Sequence, residues 1–187
     1  LPSVEGFEQW TQAGIIGDVE EGVGFIGTMV GGMVKTDKLY RGRMTGLHLG
    51  DAVFEKMPII TGGVGYLLLC FRTTDLGVFT LDYPNGRYHF EPYADASVWE
   101  GDSRPVMTGA ENGVLKIAAV WGKEASKRLA PRWTVIALDG KPLESMALDS
   151  PNIDEMIRER GVKTVTVRDT EGKEYEVKAE VFLPSMR

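Results

Sequence analysis

The chain of 187 residues is 43% hydrophobic and 26% charged, a globular composition, and its formal net charge is −6 at pH 7. This acidic balance argues against nucleic acid as a partner, and the chain lacks the run of about eighteen apolar residues that would predict a membrane span. One cysteine and two histidines exclude an internal disulfide and leave little for a metal site, so we expect no metal and no other cofactor.

Glycine is concentrated in the first half of the chain, where residues 1–95 hold 16 of the 23 glycines. Glycine breaks helices and marks turns, so this half is predicted to consist of short strands joined by tight turns. Strands are predicted over 47–49, 53–54 and 57–60, and the continuous apolar run 66–71 is typical of a fully buried strand. An antiparallel barrel or sandwich would close such a set of strands.

The clearest hairpin joins 78–83 to 87–90 through Pro84-Asn85-Gly86, because Asn-Gly supplies the positive φ angles of a tight turn. Asp82, near the end of the first strand, is interpreted as a turn-forming carboxylate rather than a catalytic one. His48 lies between two leucines and is expected to point outward from its strand. We assign no catalytic residue to this half of the chain.

Two further motifs each have a chemical and a structural interpretation. Gly22-Val23-Gly24-Phe25-Ile26-Gly27 matches the letters of a dinucleotide-binding fingerprint, but acidic residues precede it and Gly31-Gly32 would break the helix that should follow. We therefore expect a glycine-rich β loop. Cys70 lies in an apolar run with Arg72 as its basic neighbour, so we expect a buried, inert thiol rather than a nucleophile.

The second half is predicted to be a separate module of strands and helices. The polar stretch from Asp95 to Gly109 contains the boundary, which places one module over 1–95 and the other over 103–187. The elements predicted in the second module are strands at 114–121, 134–138, 162–167 and 175–181 and helices at 123–129 and 150–161.

Several local sequences follow one another in a set order in this half. A strand over 114–120 precedes Gly122-Lys123-Glu124-Ala125, the segment 135–142 is Val-Ile-Ala-Leu-Asp-Gly-Lys-Pro, and a hairpin covers 165–174. This order resembles a PDZ domain of the circularly permuted bacterial kind, although Arg132-Trp133 stands where that family usually has Gly-Asp. The resemblance implies that the module recognises a peptide or protein segment.

The resemblance also implies where a peptide would lie. In this family a loop and strand, here 103–108, offer backbone N–H groups to an extended peptide, and the second helix forms the facing wall. Pro105 removes one N–H donor, and Arg104 would compensate by pairing with a peptide carboxylate. The alternatives are that the helix residues pack the core and that the groove is closed. The peptide-binding residues assigned in this way are Arg104, Pro105, Val106, Met107, Ile153, Met156 and Ile157.

Two segments of the first half are Leu47-His48-Leu49-Gly50-Asp51-Ala52-Val53-Phe54 and Phe79-Thr80-Leu81-Asp82-Tyr83-Pro84-Asn85-Gly86-Arg87. They resemble the later part of a retropepsin-like aspartic peptidase domain. Bacterial proteins that fuse such a domain to a C-terminal PDZ domain are known, which implies an extracytoplasmic location in a bacterium. These peptidases need two Asp-Thr-Gly or Asp-Ser-Gly loops whose carboxylates share a proton, and this sequence contains neither tripeptide.

The two resemblances together lead to one expectation and one alternative. We expect a mainly β protein, with a partial aspartic-peptidase-like β-barrel lobe over 1–95 and a PDZ-like β domain with two helices over 103–187. Its function is then that of the C-terminal portion of an aspartic peptidase, a hydrolase whose catalytic aspartates come from a missing N-terminal piece. The chain alone would be inactive. The alternative is a non-catalytic peptide- or protein-binding module on a degenerate peptidase scaffold.

Overall fold

The fold is seen in a computed structural model, which describes residues 3–25, 28–29, 32–33, 37–61, 71–98, 103–143 and 153–184. The described residues form a mainly β protein, which confirms the predicted fold class at that level. Of the strand predicted over 66–71, only the backbone of Phe71 is described, and Cys70 lies outside the described residues. No helix in the described ranges is long and apolar enough to cross a membrane.

The described ranges contain α-helices and strands that are numbered here in chain order. The helices are α1 (Val4–Gln12), α2 (Lys123–Ser126) and α3 (Ile153–Arg160). The strands are β1 (Ile16–Gly24), β2 (Thr28–Met29), β3 (Gly32–Met33), β4 (Asp37–Met44), β5 (Leu47–Leu49), β6 (Ala52–Phe54), β7 (Met57–Ile60), β8 (Gly77–Asp82), β9 (Arg87–Pro92), β10 (Val106–Glu111), β11 (Val114–Trp121), β12 (Thr134–Leu138), β13 (Lys141–Pro142), β14 (Thr164–Arg168) and β15 (Glu174–Lys178).

The chain divides into two compact units. The first unit comprises Leu1–Val19 and Tyr40–Asp102, and the second unit comprises Glu20–Leu39 and Ser103–Arg187. The division after Asp102 falls between the two predicted modules, whereas residues 20–39 were expected in the first module and belong to the second unit. The end of β1 explains this difference, because it pairs antiparallel with β11, with Gly22 opposite Trp121.

The first unit begins with α1, which has no counterpart among the predicted elements. The side chain of Ser3 accepts a hydrogen bond of 3.1 Å from the main-chain N–H three residues on, and so caps the helix. Phe7 stacks on Tyr40, with 5.5 Å between the ring centroids, and packs a small core with Ile16 and Ile59. This core fixes the helix against β1, β4 and β7, which explains why nine residues without a strong local helix signal are helical.

The predicted hairpin of the first unit is present as β8 and β9, which pair along their whole length. Phe79 lies opposite Phe90, and Phe90 is buried. Asp82 accepts hydrogen bonds from the main-chain N–H of Asn85 at 3.3 Å and from its side-chain amide at 2.7 Å, which confirms the turn-forming role of this carboxylate. Within the loop only Gly86 has a positive φ, of 61°, because a short 3₁₀ turn precedes it.

In the second unit the strands follow the order β15–β14–β12–β11–β1, while β10 pairs with β11 and β13 pairs with β12. The strands predicted at 114–121 and 134–138 are confirmed as β11 and β12. The helix predicted over 123–129 is shorter, since α2 ends at Ser126. The second predicted helix is α3, and Gly161 follows it with a φ of 63°.

One hydrophobic core holds β10, β11, β12, α3, β14 and β15 together. Burial of apolar side chains is the main favourable contribution to folding, so the most deeply buried positions fix the arrangement of these elements. The core residues that are at most 1% exposed are Val106, Ile117, Val120, Ile153, Val165, Val167 and Phe182.

Asp139 forms the turn between β12 and β13 and also connects that turn to β14. Asp139 and Gly140 have φ angles of 47° and 71°, as a two-residue hairpin turn requires. The Oδ1 of Asp139 accepts hydrogen bonds from the N–H groups of Thr164 at 2.8 Å and Lys163 at 2.9 Å. These two bonds hold the pKa of the Asp139 carboxyl below its ordinary value, and the bond from Thr164 has the larger effect.

Replacing Asp139 with Asn is expected to flatten the pH dependence of stability in acid. A carboxylate whose pKa is lowered by folding stabilises the folded state above its unfolded pKa and loses this contribution as the pH falls through the lower folded pKa. The melting temperature of the wild type should therefore fall more steeply than that of D139N below about pH 4. Thermal unfolding followed by circular dichroism at a series of pH values measures this, and parallel curves for the two proteins would contradict it.

Candidate functional site

The candidate site is the edge of β10 that faces away from β11. Among the described residues, β10 pairs with β11 alone. Val106 lies opposite Val120, and the N–H of Trp121 donates to the carbonyl oxygen of Pro105 at 2.8 Å. Neighbouring residues of a strand direct their main-chain groups to opposite sides. The carbonyl oxygen of Pro105 therefore points toward β11. Val106 and Thr108 instead direct their N–H and C=O groups away from β11.

Thr108 adds a polar side chain to this edge. By the alternation of a strand it lies on the same face of β10 as Val106. Its hydroxyl oxygen is buried and has no hydrogen-bond partner within the described ranges. A buried polar group without a partner costs about 1–3 kcal/mol. The hydroxyl of Thr108 is thus an unsatisfied polar atom beside the candidate edge.

The helix α3 belongs to the same core as β10. Ile153, Met156 and Ile157 are 1%, 3% and 2% exposed, and they lie in one cluster with Val106. The structure thus brings the strand residue and the three helix residues together, but as a packed core rather than as an open wall. This arrangement corresponds to the core-packing alternative that the spacing of the three helix residues also allowed.

An ion pair joins the start of β10 to α3. The Nη1 of Arg104 lies 3.1 Å from the Oδ1 of Asp154, whose side chain is only 7% exposed. The Nη2 of Arg158 lies 3.8 Å from the Oδ2 of the same carboxylate. Burial of a carboxylate is costly unless a cation pairs with it, so these two arginines stabilise Asp154 in place. The sequence does not single out Asp154, because Arg104 is 50 residues away and no local pattern connects them.

The remaining predicted site residues, Pro105 and Met107, lie on either side of Val106 along the chain. Pro105 is partly buried, and its carbonyl oxygen is engaged by β11. Met107 is also partly buried and lies opposite Ala119, next to a shift in register. Alternation along the strand places Met107 on the face of β10 opposite to that of Val106.

The chain was compared with protein-family models, with curated proteins and with solved structures. No significant match was found. The resemblances to PDZ domains and to retropepsin-like peptidases therefore rest on the residues of this chain alone.

The glycine motif that resembles a dinucleotide fingerprint lies on a strand as far as it is described. Gly22 and Gly24 belong to β1, and Phe25 follows with its N–H donating to the carbonyl of Ala118 at 3.0 Å. A Cβ atom on Gly22 would lie 2.5 Å from the Cδ1 of Trp121. Glycine is therefore needed here for close approach of two strands, which agrees with the β interpretation of this motif.

The two histidines and Asp169 are of residue types that often carry catalysis, and they lie on strands or in a turn. His48 is exposed on β5, as predicted, and the Nε2 of His89 lies 3.3 Å from Glu91 on an exposed part of β9. Asp169, the aspartate of the Asp-Thr dipeptide, accepts hydrogen bonds of 2.9 Å from two main-chain N–H groups of its own turn. Within the described ranges, no group of three His, Cys, Asp or Glu side chains is arranged to hold a metal ion.

Proposed function

We propose that the second unit is a PDZ-like module that binds an extended peptide or protein segment by adding it as a strand to the outer edge of β10. The order of its elements supports this proposal. A hairpin of β10 and β11 is followed by α2, β12 and α3, and the C-terminal β15 pairs with β14. The core that α3 shares with β10 places the helix and the candidate edge in one packed structure.

The observation that carries the proposal is that β11 is the one partner of β10 among the described residues. The outward N–H and C=O groups of Val106 and Thr108 have the spacing of a β ladder, so a peptide could pair with them without rearrangement of the sheet. Because Ile153, Met156 and Ile157 are buried, we expect the affinity to come mainly from main-chain hydrogen bonds and the selection of side chains to be weak.

Peptide binding, rather than peptide cleavage, is the function that we propose for these 187 residues. An aspartic peptidase needs two carboxylates that share a proton, and the sequence contains neither Asp-Thr-Gly nor Asp-Ser-Gly. For the first unit we propose a peptidase-like scaffold. Its catalytic aspartates would have to come from a further segment.

The purified chain is therefore expected to bind peptides without cleaving them. Incubation with a mixed peptide library between about pH 3 and 8 covers the titration of carboxylates and histidines, and mass spectrometry would detect products. Pepsin, incubated in parallel at the acidic end, shows that the library contains cleavable sequences. Cleavage by the chain that pepstatin blocks would contradict this expectation.

Proline at position 108 is expected to weaken peptide binding by roughly tenfold or more. The N–H of Thr108 is directed away from β11, so the substitution T108P removes a hydrogen bond to the peptide while the ladder with β11 stays intact. The probe is a peptide selected on the wild-type protein from a random phage-displayed library, and fluorescence anisotropy gives its Kd.

Glu176→Pro is the matched control for this variant. Glu176 lies opposite Thr166 on β15, the last strand of the same sheet, and the N–H of Ala179 donates to the carbonyl of Lys163 at 2.9 Å. This pattern directs the N–H of Glu176 away from β14, so both variants lose an outward N–H from a strand. E176P should bind as the wild type does. Unchanged binding by T108P, or equal weakening by both variants, would contradict the site.

A further inference from the structure

Building on the proposed function, we infer that the edge of β10 takes an internal segment of a polypeptide rather than a free C terminus. The cation that would anchor a terminal carboxylate is Arg104, and this side chain is already paired inside the fold with Asp154. Asp154 is then a specificity-determining residue, which acts by occupying Arg104 and not by touching the ligand.

The position of Arg104 follows from the direction of the strand. A segment that adds antiparallel to β10 has its C-terminal end beside the start of β10, where Arg104 and Pro105 lie. A terminal carboxylate carries a full charge, and its removal from water is costly unless a cation or several N–H donors receive it. Pro105 has no N–H to offer. Recognition of a chain terminus would therefore depend on Arg104.

The pairing of Arg104 leaves it poorly suited to that task. Its Nη1 lies 3.1 Å from Asp154, and its side chain is 23% exposed. Arg158, the second cation near this point, is oriented toward the same carboxylate at 3.8 Å. Separation of Arg104 from Asp154 would leave a buried carboxylate without its closest cation. A ligand carboxylate would thus gain one ion pair only by breaking another.

An internal segment has no such requirement. Its chain continues past the start of β10, so no charge has to be received there, and the outward groups of Val106 and Thr108 are sufficient for pairing. The ligand class that fits this edge is an extended, internal stretch of a protein or a long peptide.

Three forms of one peptide test the inference on the wild-type protein. They are the library-selected peptide with a free C-terminal carboxylate, the same peptide with a C-terminal amide, and the same peptide extended at its C terminus by a short Gly-Ser tail. We expect the three Kd values to agree within roughly threefold. A preference of roughly tenfold or more for the free carboxylate would overturn the inference while supporting strand addition. If none of the three binds, the proposed function fails, and this inference fails with it.

Asp154→Asn should give the converse result. With the carboxylate neutralised, Arg104 no longer has a charged partner in Asp154, and the free-carboxylate peptide is expected to bind roughly tenfold more tightly than the amide. Adding Arg104→Gln to D154N should abolish this preference. A folded D154N protein that does not discriminate between the two peptides would overturn the role of Asp154. If circular dichroism shows D154N to be unfolded, the ratio of the Kd values on the wild type decides the question.

Discussion

Alanine in place of Asp154 is expected to lower the free energy of unfolding of the second unit by about 3 kcal/mol. Asp154 belongs to α3 and its carboxylate is buried. Its ion pair with Arg104 connects that helix to the start of β10. Removal of one partner of a buried ion pair typically costs about 3–5 kcal/mol, because the other charge is left without compensation. The lower figure applies because the guanidinium of Arg104 is partly accessible to water. Urea unfolding followed by circular dichroism gives the difference.

Two further proteins make this result specific to the ion pair. Glu159→Ala is the control on the same helix, since Glu159 is exposed, and its effect should stay within about 0.5 kcal/mol. The double replacement of Arg104 by Met and Asp154 by Leu should recover most of the loss, because an apolar pair can substitute for a buried ion pair. A loss below about 1 kcal/mol for D154A would show that the pair contributes little to stability.

Gly22→Ala is expected to destabilise the same unit by a similar amount, about 3 kcal/mol. A Cβ atom at this position would lie 2.5 Å from the Cδ1 of Trp121 and 2.7 Å from the carbonyl oxygen of Val120. Trp121 is 1% exposed, so its ring is enclosed by the protein and cannot turn out into solvent without disturbing its neighbours. The strand β1 would have to shift away from β11, which weakens the pairing between them.

Gly17→Ala is the matched control, because Gly17 lies on the same strand and a Cβ atom there would have nothing within 4 Å. The free energy of unfolding of G17A should differ from that of the wild type by no more than about 0.5 kcal/mol. The substitution only slightly reduces the flexibility of the unfolded chain, and the added methyl group meets no other atom in the folded chain. Thermal and urea unfolding of G22A and G17A side by side measure the difference. Equal stability of the two variants would contradict the close approach of β1 and β11.

Elements with a strong local signal could be predicted from the sequence. The sequence predicts the strand Val114–Trp121 with the bounds that β11 has, because a series of apolar and β-branched residues, interrupted only by Lys116, marks a largely buried strand. The turn at Asp139-Gly140 follows from the φ angles that these two residue types accept. The local sequence also predicts the turn-forming role of Asp82, because its side chain accepts a hydrogen bond from Asn85, only three positions away.

Elements that depend on distant partners could not be predicted in this way. The sequence of β1 is Ile-Gly-Asp-Val-Glu-Glu-Gly-Val-Gly, which is too polar and too rich in glycine to indicate a strand, and its end is ordered by pairing with β11. In α1, the contact of Phe7 with Tyr40 stabilises a helix that the local sequence does not strongly favour. Tertiary packing overrides weak local preference at both places.

The candidate site, too, could be predicted only in part from the sequence. The resemblance to PDZ domains implies a loop and strand at 103–108, and β10 begins within that range. The burial of Ile153, Met156 and Ile157 depends on how α3 packs, which their spacing alone does not decide. The pair between Arg104 and Asp154 depends on two segments that only the folded chain brings together.

The second unit draws its residues from two separate stretches of the chain, and this has a consequence for how it is made. During synthesis Gly22 and Gly24 leave the ribosome about a hundred residues before the strand that they pair with. The early stretch remains unpaired with β11 while Tyr40–Asp102, the second stretch of the first unit, is produced. A polypeptide started at Ser103 would contain β10, α3 and most of the core, yet its β11 would lack the neighbour that Gly22–Gly24 provides. Transfer of this unit to another protein as an independent domain would thus require both stretches of the chain, not the C-terminal one alone.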